Sequence, residues 1–160
     1  MDIYQFLNDH SIPYERYDHP AVFTCEEAQR LIPEDVPGAD TKNLFLRDKH
    51  GKRHILVTVG YDKKVDIKAL SELLEAKKLG FGSPERLRKY LGIAPGSVSI
   101  LALIHDPDHA VECFIDEDLW KHDSFRVHPL VNTASLVISR EALQTFLQAT
   151  GHTLKVIAVP

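Results

Sequence analysis

Lys42 and Asn43 stand side by side in Thr41-Lys42-Asn43-Leu44-Phe45-Leu46-Arg47-Asp48, a cation and an amide beside an apolar run. Residues 44–46 read as a buried or half-buried strand ending at Arg47-Asp48, with Lys42 at its mouth. Such a pair suits gripping a phosphate, a carboxylate or an ester carbonyl next to a small pocket. A strand-start lysine is more often simply solvated, so the pair gains weight only from its surroundings. His128 is a second candidate. Pro129 biases it toward extended backbone and helps aim the imidazole. Asn132, Thr133 and Ser135 follow, polar groups of the kind that hold a substrate carbonyl or amine. A third candidate is Gly96-Ser97-Val98-Ser99-Ile100. Backbone amides at a glycine turn entering a strand can form an anion nest or oxyanion cradle.

Other patterns carry less. His105 and His109, with Asp106 and Asp108 between them, have the spacing of a helical metal pair. Asp-Pro-Asp is turn chemistry, however, so no metal is expected there. Cys25 follows a plausible helix N-cap, but no base is identifiable beside it. Cys25 and Cys113 are far apart and read as reduced and structural. Neither a Gly-rich phosphate loop nor a Gly-x-Ser-x-Gly elbow occurs, so no nucleotide cofactor and no serine-hydrolase chemistry is indicated.

Charge is unevenly spread. The formal net charge is −4, which argues against indiscriminate binding to nucleic acid, DNA included. From Lys42 to Lys89, thirteen lysines and arginines face six acids, a local +7, and the rest of the chain carries −11. A basic block inside an acidic protein fits a local phosphate-backbone footprint, with solvated helix and loop faces as the plainer alternative.

The elements that must position these residues can be read from periodicity. Ile3, Phe6 and Leu7 give a short helix over 2–10, and 14–17 alternate like a strand. Thr24 and Glu27 form a capping box for a helix to about Leu31. Strands follow at 43–48 and 54–60, joined by a polar hairpin. Asp66 caps a helix carrying Ile67, Leu70, Leu73 and Leu74, and Gly80 and Gly82 interrupt the pattern. Ser83 caps another helix, with Pro84 at its first position. Strands are expected at 98–104, 111–115, 125–127 and 135–138. Ser139 caps a last helix ending at Gly151, and 155–159 is a final strand. The sum is an α+β fold: one domain, 1–160, with a mixed, mainly antiparallel sheet flanked by short helices.

Composition agrees with one globular domain: 160 residues, 44% hydrophobic and 26% charged. No apolar run approaches the ~18 residues of a membrane span. Met1-Asp2-Ile3-Tyr4 has no basic n-region, so no signal peptide is expected and a cytoplasmic location is the default.

Five segments occur in a telling order: His19-Pro20-Ala21-Val22-Phe23-Thr24, the Lys42 stretch, Ser83-Pro84-Glu85-Arg86-Leu87, His128-Pro129-Leu130-Val131-Asn132-Thr133-Ala134 and Ala149-Thr150-Gly151-His152. From about residue 2 to 157 the chain resembles the YbaK/prolyl-tRNA-synthetase-associated (INS-like editing) domain family. It is most similar to the free-standing alanyl-tRNA(Pro) deacylase branch. The resemblance implies an aminoacyl-tRNA hydrolase that edits mischarged tRNA(Pro), above all Ala-tRNA(Pro), without a cofactor. Its partners would be the acceptor end of that tRNA and, beyond it, prolyl-tRNA synthetase. Lys42, Asn43 and His128 would be catalytic, with the His128 loop facing Lys42 across the pocket and His19 a turn residue. Val22, Phe23, Gly96, Ser97, Ser99, Asn132, Thr133 and Ser135 would line the substrate. Arg47, Lys77, Lys78, Arg86 and Arg88 would hold the tRNA. Family members commonly carry Gly-x-x-x-Pro at 96–100, whereas here Ile100 replaces the proline. Two alternatives stay open: editing of Cys- or Ser-tRNA, and a non-catalytic module that binds aminoacyl-tRNA or an amino acid.

Overall fold

The computed structural model describes residues 2–20 and 37–160, so the expected helix after Thr24, together with Val22, Phe23 and Cys25, lies outside the described residues. Among the described residues, eight strands form one mixed sheet. They are β1 (Glu15–Asp18), β2 (Ala39–Arg47), β3 (His54–Gly60), β4 (Gly80–Phe81), β5 (Val111–Asp116), β6 (Ser124–Val127), β7 (Ala134–Ser139) and β8 (Leu154–Ile157). Their order is β1-β7-β6-β2-β3-β5-β8, with β4 also on β2. Four pairings are antiparallel (β1–β7, β6–β7, β2–β3, β2–β4) and three are parallel (β2–β6, β3–β5, β5–β8).

Among the described residues five α-helices flank the sheet: α1 (Ile3–Asp9), α2 (Ile67–Leu73), α3 (Pro84–Leu91), α4 (Glu117–Trp120) and α5 (Arg140–Thr150). The side chains of Asp66, Ser83 and Ser139 accept from the first-turn amides of α2, α3 and α5, as their sequence positions imply. Alternation along the strands divides the apolar residues between two faces. The main core joins Phe45, Leu56, Cys113, Phe125, Leu136 and Ile138 to α1, α3 and α5. On the other face Leu46, Ile55, Val57, Val59 and Phe114 meet Leu70, Leu79 and Val159. Burial pushes the Cys113 thiol up to about 12, which leaves it protonated and inert.

One expected strand is a helix. Residues 98–104 do not pair; Ile100–His105 is a 3-10 helix whose start is capped by Ser99 Oγ, accepting from Leu101 N at 3.1 Å. Ile100, Leu101, Ala102 and Leu103 are all buried, so the run has no polar face and its periodicity cannot tell strand from helix. Two short elements also lie where no regular structure was expected, α4 and the two-residue β4.

The β2–β3 hairpin reaches its tip at Asp48–Arg53. Asp48 Oδ1 accepts from Lys52 N at 2.8 Å and Arg53 N at 3.1 Å, and these backbone bonds hold its carboxyl below the ordinary carboxylate value. Gly51 adopts φ +67, a backbone conformation that L side chains rarely take, with the Arg86 guanidinium lying against it.

Candidate active site

β2 is the axis of the site. On one side it pairs with β3 from Thr41 to Arg47. On the other side it pairs with β6 only at Ala39 and Asp40, and with β4 only at Leu46 and Arg47. Between Thr41 and Phe45 that edge carries no strand partner among the described residues. Lys42 lies inside β2, not at its mouth, within this unpaired stretch of the edge.

Lys42 alternates with Thr41 and Asn43, so it shares a sheet face with Asp40, Leu44 and Leu46. It is half-buried, and no described acid lies within ion-pair distance of its ammonium. Asp40 is already taken: Arg126 Nη2 donates to Asp40 Oδ2 at 2.7 Å. Burial raises the Asp40 pKa above its ordinary value, outweighing the pull of Arg126. Thr41 Oγ1 donates to Arg126 O at 2.6 Å, which seals the β2–β6 junction. The parallel pairing stops at Asp40–Arg126, and His128 follows two residues further along that chain, just past the end of β6.

His128 is half-buried. Burial pushes its pKa below 6.5, with His19 adding to the shift, while the Ala134 carbonyl and Asp40 oppose it. Its Nδ1 stands 3.5 Å from Ala134 O, a long contact, and a proton on Nδ1 leaves Nε2 as an open acceptor. His19 is engaged at both nitrogens: Nδ1 lies 2.8 Å from Pro20 O and Nε2 lies 2.9 Å from Ser135 Oγ. A carbonyl can only accept, so in the neutral ring Nδ1–H donates to Pro20 and the Ser135 hydroxyl donates to Nε2. Ser135 alternates with Leu136, which points into the main core, so it lies on the Lys42 face. Ser135 thus holds His19 on the face that Lys42 shares, and His19 and Asp40 both act on the His128 ring. His19 does more than turn the chain, since its amide also donates to Thr133 O at 3.0 Å.

Asn43 is separated from this group. It leaves the opposite face of β2, where Thr58 Oγ1 donates to Asn43 Oδ1 at 2.6 Å and Asn43 Nδ2 donates to Val98 O at 3.4 Å. The expectation that Lys42 and Asn43 reach one substrate atom side by side conflicts with strand alternation; Asn43 instead ties the 96–99 loop to the sheet. Within that loop Ser97 N is used by Ala94 O at 3.1 Å, and Ser99 is fully buried as a helix cap. Ile100 lies in the main core. Gly96 is exposed at φ +89, Asn132 is half-buried and Thr133 is exposed.

The basic residues gather at the hairpin tip. Lys49 N donates to Lys77 O at 2.7 Å, Leu79 N to Ser71 Oγ at 3.0 Å, and Arg53 Nη1 to Leu74 O at 2.9 Å. These bonds fix a loop on which Lys77 and Lys78 are exposed. Arg88 is exposed as well, and Arg47 is half-buried over the carbonyls of Asp48 and Lys49. Arg86 is committed to structure, with Nη1 2.9 Å from His54 Nε2. Burial, reinforced by Arg86, lowers the His54 pKa, so the ring is a neutral acceptor stacked between Phe45 and Tyr90.

His105 and His109 do not converge. His105 Nδ1 contacts Leu91 O at 2.8 Å and His109 Nε2 contacts Thr150 O at 2.9 Å. Among the described residues no group of three or more His, Cys, Asp or Glu is placed to hold a metal ion. No described helix is long and apolar enough to cross a membrane.

The fold is that of a class of single α+β domains with a mixed sheet flanked by short helices. The structure superposes with a TM-score of 0.68 on a chain described as a candidate trans-editing enzyme for prolyl tRNA synthetase, at 21% identity over 98% of this chain and 94% of that one. Residues 19–146 match the family model for the aminoacyl-tRNA editing domain. The chain is 38% identical to the prolyl-tRNA editing protein ProX of Acetoanaerobium sticklandii, covering 94% of this chain and 92% of that protein. It is 33% identical to the prolyl-tRNA synthetase associated domain-containing protein 1 of Mus musculus, covering 94% and 90%. The chain belongs to the aminoacyl-tRNA editing domain family, and its activity is that of an aminoacyl-tRNA deacylase.

Proposed function

We propose that the protein clears alanine from mischarged tRNA(Pro), acting in trans beside prolyl-tRNA synthetase. The observation that carries this reading is Lys42, a half-buried cation on an open strand edge with no described acid beside it. A lysine so placed has its charge available for a ligand, and the acceptor end supplies a terminal phosphate and an ester. The relative in A. sticklandii, named for prolyl-tRNA editing, supports tRNA(Pro) as the nucleic acid.

In this account Lys42 neutralises the terminal phosphate or the oxyanion that develops on the ester carbonyl. Water adds to that carbonyl, the bond to the ribose oxygen breaks, and a proton passes to the leaving ribose. The substrate's own neighbouring hydroxyl helps to place the water, since no strong general base is found beside Lys42 among the described residues. The neutral His128, with Nε2 open, orients the water or the amino group, and Asn132 and Thr133 border that loop. Asn43 acts from behind by holding the 96–99 loop. Lys77, Lys78, Arg47 and Arg88 carry the acceptor stem.

Discrimination comes from bulk. A tight pocket admits alanine and rejects proline, whereas favourable contact with one extra methylene yields only ~1–3 kcal/mol. The test is deacylation of alanyl-, cysteinyl-, seryl- and prolyl-tRNA(Pro) by the wild-type protein. Turnover of the alanyl ester with the prolyl ester spared is expected. Preference for the cysteinyl or seryl ester would reassign the target, and binding of all four without turnover would remove the editing role.

A further inference from the structure

Phe81 is the most exposed large apolar side chain described, at 64%, and the deacylase reading gives it no task. Its backbone is held firmly. β4 pairs Phe81 with Leu46 and Gly80 with Arg47, and Gly82 N donates to Phe45 O at 2.9 Å. Gly82 must be glycine, because a Cβ there would meet the Phe45 ring at 2.5 Å. Ser83 then caps α3, fixing the chain on the far side. A rigid loop thus presents an aromatic ring to solvent.

Its position is specific. Directly paired residues share a sheet face, so Phe81 lies on the face of Leu46, and hence of Leu44 and Lys42. It stands on the side of β2 where the edge is open, about 13 Å along the strand from Lys42 at ~3.3 Å per residue. Lys77 and Lys78 are exposed on the loop that leads into β4, and Lys77 is bonded to the end of the hairpin through Lys49 N, whereas Arg47 leaves the opposite face. An exposed aromatic beside exposed cations is how proteins hold single-stranded nucleic acid: the cations follow the backbone and the ring stacks a base.

The geometry points to Phe81 as a stacking platform for an unpaired base at the 3′ end of the tRNA, with the aminoacyl ester lying back along β2 at Lys42. This inference rests on the deacylase reading for its ligand, but its test does not depend on turnover. Binding of an uncharged acceptor-stem minihelix with a single-stranded 3′ end is measured by fluorescence anisotropy, for wild type, Phe81→Ala and Phe81→Trp. Phe81→Ala is expected to weaken binding about tenfold and Phe81→Trp to retain it, as loss of one base–aromatic stack predicts. A minihelix with an abasic site at the stacked position should bind wild type as weakly as Phe81→Ala binds the intact one, with no further loss in the variant. In deacylation the Phe81→Ala penalty should fall on KM and leave kcat within about twofold. Unchanged minihelix affinity in Phe81→Ala, or an equal loss with every abasic substrate, would overturn the stacking role. Stacking without turnover of any aminoacyl-tRNA would instead overturn the deacylase reading and leave the platform standing.

Discussion

Two histidine-bearing regions of this molecule look alike in the sequence and differ in the one property that chemistry requires. At His105–His109 and His152 the polar groups are closed on themselves. Asp106 accepts from Ala110 N, Val111 N and His152 Nε2, each at 2.9 Å, and His152 Nδ1 is used by Thr150 Oγ1. Around Lys42 the balance is open. The lysine has no described acid partner, His128 makes one contact at 3.5 Å, and the buried Arg126 Nε finds no described acceptor. Saturated groups hold a fold together, and unsatisfied ones on an accessible edge are available to a ligand. Histidine spacing alone draws attention to the first region; partner accounting draws it to the second, where we propose that the reaction takes place.

The sharpest way to break this comparison is to remove a charge from each region. Lys42→Ala should slow deacylation about 100- to 1000-fold, the usual cost of losing one oxyanion-stabilising group, with thermal stability held. Asp106→Ala should do the reverse. It strands His152, the buried Val111 amide and the part-buried Ala110 amide, at a cost of about 3 kcal/mol in urea unfolding, while kcat per folded molecule is unchanged. A drop in kcat for Asp106→Ala at full folding would join the two regions and end the contrast.

Smaller effects sharpen it. Ser135→Ala removes the donor to His19 Nε2, and a loss of about fivefold in rate is expected, the worth of one neutral hydrogen bond. A loss of several orders of magnitude, with an acyl-enzyme trapped in wild type, would make Ser135 a nucleophile. Lys77→Ala with Lys78→Ala should weaken tRNA binding and flatten the salt dependence by roughly 0.9 in log–log slope per lost contact, with kcat intact. The pH effect is the smallest. His128 is depressed in the folded state, so below 6.5 the unfolded chain takes up that proton first and stability falls as pH drops toward the folded value. His128→Gln should make thermal stability flatter over that window, and an unchanged slope would count against a buried neutral ring.

How much of this was legible depends on the range of the interaction. Asp66, Ser83 and Ser139 could be read as caps because a cap is satisfied within three residues. The parallel pairings of β2 with β6, β3 with β5 and β5 with β8 join segments far apart, and no local pattern encodes them. Residues 98–104 misled because a uniformly buried run has no face to reveal its period. Adjacency in the sequence suggests Lys42 and Asn43 as partners, although a strand sends neighbours to opposite faces. The same period of two would have placed Asp40 beside Lys42. Phe81 and the His19–Ser135 contact carried no local signal, since both depend on which strand β2 or β7 comes to lie against.

The central claim is that Lys42 acts on the reacting ester and is not part of the scaffold. The most direct test is single-turnover deacylation of alanyl-tRNA(Pro) by wild type and Lys42→Ala, with tRNA affinity and thermal unfolding measured on the same preparations. The account predicts a rate at least about 100-fold lower with the fold retained and the acceptor stem still bound through the hairpin tip. A Lys42→Ala protein that deacylates at the wild-type rate would contradict it.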